Sequence, residues 1–215
     1  MAKINTYIIF ISVLSAVLSA ASPCASAGES KKSRERKIKA AFVYNFINFI
    51  DWPEESMPEN DDPVKIAVIG TKNLQRAFKP LVKKKVKDKS IQIKHFVDFC
   101  DENKNSKKEK SNWDRKIKEL KKNHIVFIGN CKLISKKTHE ELIEELKFNP
   151  ILTISEKTGF LENGGIINYI KENKKVSFEI NLKSADRNHI RIRSRLLKLA
   201  RRVIKDKQNS SAQKN

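Results

Sequence analysis

Val64-Lys65-Ile66-Ala67-Val68-Ile69-Gly70 decides the fold: a short, nearly unbroken apolar run that ends in glycine. Such a run reads as a strand buried on both faces. Three more runs continue the pattern. Residues 91–99 place Ile91, Ile93 and His95 on one side, 124–129 read His-Ile-Val-Phe-Ile-Gly, and 151–154 read Ile-Leu-Thr-Ile. Amphipathic stretches at 71–82, 113–122 and 136–148 lie around and between them. Strand and helix in alternation imply a single α/β domain with a mainly parallel mixed sheet flanked by helices.

Outward from this centre, residues 34–52 read as a buried helix. Ile38, Phe42, Phe46 and Phe49 step along one face, with Val43, Ile47 and Ile50 on an adjacent one. Trp52-Pro53 ends it, because a residue before proline is pushed out of the α region. An acidic loop follows at 54–63. Residues 101–111 contain no apolar side chain and read as a mobile surface insertion. Toward the C-terminus, Gly159, Gly164 and Gly165 bracket a turn, and strands at 166–170 and 176–182 form a hairpin. Val176, Phe178, Ile180 and Leu182 share one face of the second strand; Ser177, Glu179 and Asn181 share the other, which meets water or a partner. A last strand is expected at 189–193. Ser194 then caps a helix through Lys205, and the tail from Asp206 is polar and frayed.

The charge is extreme: 45 Lys and Arg against 25 Asp and Glu in 215 residues, a formal +20. Nucleic acid is the obvious partner for such a chain. The N-terminus points elsewhere. Lys3 is the only charged residue among the first 27, an apolar run covers 8–20, and Ala25-Ser26-Ala27 supplies small residues at a cut site. This is the pattern of a cleavable secretory signal peptide, with cleavage after Ala27 and Ala21 as the alternative. The domain is then 34–205, preceded by a polar disordered stretch at 28–33. Export makes nucleic acid an unexpected partner, and much of the excess charge reads as solvated lysine. After the cut, Cys100 and Cys131 remain, a disulfide candidate in an oxidising compartment, with two buried free thiols as the other reading.

Catalytic patterns are scarce. The four histidines lie far apart with no metal-binding spacing, there is no nucleophile elbow, and the 159–165 loop lacks the Lys-Ser/Thr pair of a phosphate loop. No cofactor, metal or catalytic residue is expected. The strongest basic surface is the C-terminal helix, where Arg195, Lys198, Arg202 and Lys205 share one side; it could meet an acidic partner or, weakly, an anionic membrane surface.

Three stretches together resemble the YfiR family of periplasmic regulators. They are Lys39-Ala40-Ala41-Phe42-Val43-Tyr44-Asn45-Phe46-Ile47-Asn48-Phe49-Ile50-Asp51-Trp52-Pro53, then His124-Ile125-Val126-Phe127-Ile128, then a C-terminal block. The block includes Leu152-Thr153-Ile154-Ser155, Gly164-Gly165-Ile166-Ile167-Asn168-Tyr169, Val176-Ser177-Phe178-Glu179-Ile180-Asn181 and Ser194-Arg195-Leu196-Leu197. The resemblance implies a non-enzymatic protein that represses a membrane-bound diguanylate cyclase by binding its periplasmic sensing region. Family members often carry a cysteine just before the His-Ile-Val-Phe-Ile strand. Here that residue is Asn123, so no family disulfide pattern is carried over. Asn45, Gly164, Gly165, Asn168, Tyr169, Glu179 and Asn181 are the candidate partner- or ligand-binding residues, with a buried structural network as the other reading of the polar ones. A homodimer is a further expectation. The alternatives are a small-ligand-binding module that feeds a sensor kinase or outer-membrane receptor, and an exported hydrolase.

Overall fold

The computed structural model describes residues 30–57, 61–96, 99, 107–129, 135–172 and 175–206. The signal-peptide region, Cys100, Cys131 and the last nine residues lie outside them, as does most of the 101–111 insertion.

Helix α1 (Lys31–Ile47) is followed by β1 (Ile50–Asp51), β2 (Val64–Ile69) and α2 (Lys72–Phe78). Next come β3 (Lys85–Val86), β4 (Lys89–Phe96), α3 (Lys107–Leu120), β5 (Ile125–Ile128), α4 (Lys136–Leu146) and β6 (Leu152–Ser155). The chain closes with β7 (Ile167–Glu172), β8 (Lys175–Asn181), α5 (Leu182–Arg187), β9 (Arg191–Ile192), α6 (Ser194–Leu197) and β10 (Val203–Ile204). Eight strands form one sheet in the order β10-β8-β7-β6-β5-β2-β4-β3. Its middle is parallel, from β4 through β2, β5 and β6 to β7. The β7–β8 hairpin is antiparallel, with Glu172 opposite Lys175.

Alternation along the strands divides the core. Ile66, Val68, Ile125, Phe127 and Ile154 face α1 and α2. Ala67, Ile69, Val126 and Ile128 face α3 and α4, where Trp113, Leu120, Leu142 and Leu146 meet them. Both faces are covered, which is why the parallel strands read as continuous apolar runs instead of alternating ones. Phe46 of α1 stands edge-on to Phe178 of β8, with ring centroids 5.0 Å apart, and ties the first helix to the hairpin. Asn123 closes α3 by donating to the carbonyls of Glu119 and Leu120 at 2.8 and 3.1 Å.

Five expectations need correction. The first helix begins at Lys31, inside the stretch expected to be disordered, and stops at Ile47, and Ile50 and Asp51 pair instead with Ile192 and Arg191. The apolar spacing runs on through Phe49 and Ile50 because helix and strand bury these residues against one core. Residues 107–111 are not loose insertion but the first turns of α3. The strand expected at 91–99 runs from Lys89 to Phe96, and β3 joins it through a tight turn at Lys87 and Asp88, with φ of 49° and 63°. Asn181 does not share the open face of β8; it is buried at the strand's end. The helix expected over 194–205 is a single turn, and Arg193, not Ser194, holds its cap position. α6 ends at Leu197, Leu199 is 66% exposed, and Val203 and Ile204 add a parallel strand beside Ile180 and Asn181. Arg195, Lys198, Arg202 and Lys205 are therefore exposed but do not form a helical face.

Candidate functional site

From β2 the chain passes to α2 on one face of the sheet, and from the neighbouring β5 to α4 on the other. Connections that leave adjacent parallel strands in opposite directions open a crevice beyond their carboxyl ends. A cleft of about 380 Å³ lies there, lined among others by Lys32, Arg36, Lys39, Gly70, Glu156 and Lys171. Its floor is Gly70 and Gly129. A Cβ on either would fall 2.9 or 2.5 Å from the Leu74 side chain, so glycine lets Leu74 close beneath them. Their amides are engaged by the Phe96 and Ile69 carbonyls at 3.2 and 2.9 Å.

Lys39 anchors the cleft wall. It is only 6% exposed, and its ammonium donates to Glu35 one helical turn earlier, at 2.9 Å, and to Glu156 just past β6. Lys171 of β7 donates to the other oxygen of Glu35 at 2.7 Å. Hydrogen bonds from Lys171, then Lys39, hold the Glu35 carboxyl down to about 2. Burial works against the charged form of Lys39, yet the bonds to Glu156 and Glu35 outweigh it and raise its pKa above the ordinary lysine value. Tyr169 is buried below, donating its hydroxyl to the Lys39 carbonyl at 2.9 Å. α1, β6 and β7 are thus tied at one point by charge-assisted bonds.

A second groove of about 450 Å³ adjoins the cleft and shares Glu156 and Lys171 with it. Arg202 crosses this groove. Its Nε and Nη2 donate to the two oxygens of Glu179, both at 3.0 Å, and Nη2 also reaches Glu162 at 2.8 Å. Arg202 in turn depresses the Glu162 carboxyl. Glu162 comes from the glycine loop, Glu179 from β8 and Arg202 from the residue before β10, so the clasp forms only when three distant segments meet.

The structure brings four candidates together here: Asn168, Tyr169, Glu179 and Arg202. Asn168 is buried, and with its side-chain amide turned so that both ends are satisfied its nitrogen reaches the Lys157 and Ser155 carbonyls at 3.2 and 3.1 Å. Asn181 lies apart, donating to the Leu161 carbonyl at 2.8 Å and accepting from the Ser184 amide at 3.0 Å as the cap of α5. Gly164, at φ +97°, accepts from Arg187, while Gly165 lies under the Phe160 ring. Asn45 is exposed on α1. Sequence reasoning missed Lys32, Arg36, Lys39 and Glu156. The available signal was the pair of strand ends Ile69-Gly70 and Ile128-Gly129, which marks neighbouring carboxyl termini once the strand order is known.

One histidine–serine pair bears on the hydrolase alternative. His139 of α4 lies 3.2 Å from the Ser155 hydroxyl, both buried. Ser155 donates its proton to the Ile128 carbonyl at 2.8 Å, so His139 Nε2 must be the donor to serine. Burial, then the charge of Lys157, pushes the imidazole down to about 4. This pair fastens the end of β6 to α4; it does not present a nucleophile to a cleft. Among the described residues no three His, Cys, Asp or Glu side chains converge in a metal-holding group.

Comparison with known proteins agrees with this architecture. A family model described as YfiR/HmsC-like matches residues 36–201. Among solved structures, a conserved domain protein from Vibrio cholerae O1 biovar El Tor strain N16961 superposes with a TM-score of 0.52 at 10% identity, over 78% of this chain and 60% of that one. The chain therefore spans under two thirds of that protein, and the likeness concerns the fold. No curated protein matches.

Proposed function

The chain belongs to the YfiR/HmsC-like family, and on that premise we propose that it is an exported regulator that binds and inhibits the periplasmic sensing region of a membrane signalling protein. A diguanylate cyclase, and hence cyclic-di-GMP signalling, is the partner class that the family resemblance favours. Family membership carries the reading, since family members are regulators and not enzymes. No helix among the described residues is long and apolar enough to cross a membrane.

The contact surface in this proposal is the groove beside the β7–β8 hairpin. Glu162 and Arg202 lie at an accessible rim, and the largely covered Glu179 holds Arg202 in a fixed geometry that a complementary charged surface can read. Inhibition works by differential affinity: the regulator lowers output only to the extent that it binds the inactive sensor more tightly than the active one. A shift from mostly active to mostly inactive needs a preference of roughly 10⁴. Cys100 and Cys131 are proposed to be bridged in the exported protein.

Capture from a membrane fraction tests the proposal. The expected result is recovery of a membrane sensor by the wild type and markedly less by Glu179→Gln with Arg202→Gln. Equal recovery by both would remove the groove from the contact, and recovery of no sensor would overturn the function. Repeating the capture with reductant asks whether Cys100 and Cys131 matter; an unchanged yield would argue against a functional bridge.

A further inference from the structure

Lys32 and Arg36 lie four residues apart on α1 and both line the switch-point cleft, so two like charges share one helix face. Such pairs repel and weaken a helix. Neither has an ion-pair partner among the described residues. Around them the other charges are balanced: Lys39 engages Glu35 and Glu156, and Lys171 engages Glu35. The cleft therefore carries two cations in excess of its carboxylates. Its volume of about 380 Å³ suits a small molecule, and Leu74 is the one apolar side chain in its lining. Gly70 and Gly129 have no free amide to offer, so recognition falls to side chains.

We propose that this cleft binds a small soluble oxyanion, a carboxylate or a phosphate, held by Arg36 and Lys32 beside the Lys39–Glu35–Glu156 network. The planar guanidinium of Arg36 matches two oxygens of such a group, and the Lys32 ammonium adds a mobile point charge. Bound there, the anion relieves the repulsion along α1 and sits against the residues that join α1 to β6 and β7. The cleft shares Glu156 and Lys171 with the groove assigned to the partner, so occupancy in one is placed to be felt in the other. Binding itself does not depend on the partner reading.

Isothermal titration of the purified protein with inorganic phosphate, and separately with citrate, at ionic strength fixed by sodium chloride, tests the site. Saturable one-to-one binding of at least one anion is expected, and the tighter of the two assigns the chemistry. Lys32→Gln with Arg36→Gln should weaken it by about tenfold or more, because two charge-assisted contacts are lost. Arg195→Gln with Lys198→Gln, which removes two exposed cations elsewhere, should leave it unchanged. Urea midpoints no lower than wild type confirm that both variants fold. No saturable binding by either anion, an equal loss in both variants, or no loss in the first would overturn the proposal. No membrane partner is present in this measurement, so its failure is separate from failure of the partner reading.

Discussion

Replacing Lys39 with methionine keeps the aliphatic stem of the side chain and deletes its ammonium. Glu156 then loses its bond to Lys39, and Glu35 keeps only Lys171 at 2.7 Å. Breaking a buried pair by removing one partner costs about 3–5 kcal/mol, chiefly because a charge is left uncompensated. Here the carboxylates are 23% and 22% exposed, so water takes up part of the deficit. A loss of about 2–3 kcal/mol is therefore expected. In urea, with a slope of about 2 kcal/mol per molar, the unfolding midpoint should fall by roughly 1 M. The pH dependence supplies an independent check. Glu35 has its carboxyl lowered from 4.5 to about 2, so its stabilisation is complete above pH 4.5 and is lost as pH falls toward 2. Lys39→Met should flatten that acid limb without abolishing it, since Lys171 remains. A midpoint shift below about 0.3 M with an unchanged acid limb would refute the view that Lys39 ties α1 to the sheet.

Gly165→Ala should cost about 1–3 kcal/mol or prevent folding, because its Cβ would fall 2.2 Å from the buried Phe160 ring; thermal unfolding reads this directly. Asn181→Ala should cost about 1–3 kcal/mol by orphaning the Leu161 carbonyl and the Ser184 amide, with the loss visible in urea midpoints and no specific loss of partner capture. His139, lowered from 6.5 to about 4, destabilises the fold as pH falls from 6.5 toward 4, because the unfolded chain takes up the proton first. His139→Gln should remove that limb from a pH series of urea midpoints. Partner association should weaken with salt if exposed Arg195, Lys198 and Lys205 steer it; an affinity unchanged between low and high salt would leave these charges as solubility background.

The parallel core was legible because burial on both faces writes itself as unbroken apolar runs, as in Val64 to Ile69 and Ile125 to Ile128. The hairpin was legible from the alternation of Val176, Phe178 and Ile180. What escaped depends on distant partners. Val203 and Ile204 become a strand only because the edge of β8 is open beside them, and their spacing from Leu196 and Leu199 imitates a helix. Ile50 and Asp51 are likewise strand only opposite β9. The cleft joins α1 to residues more than 100 positions away, Glu156 and Lys171, and no local pattern marks such a meeting. Asn168 and Asn181 looked alike as polar residues in strands, yet one borders the groove and the other caps a helix.

The central claim is inhibition by direct contact. Its most direct test is reconstitution of the captured membrane sensor with purified regulator, reading cyclic-di-GMP output as regulator is added. Output should fall saturably with wild type and resist Glu179→Gln with Arg202→Gln. A flat response to the wild-type protein, despite stable binding, would contradict the account.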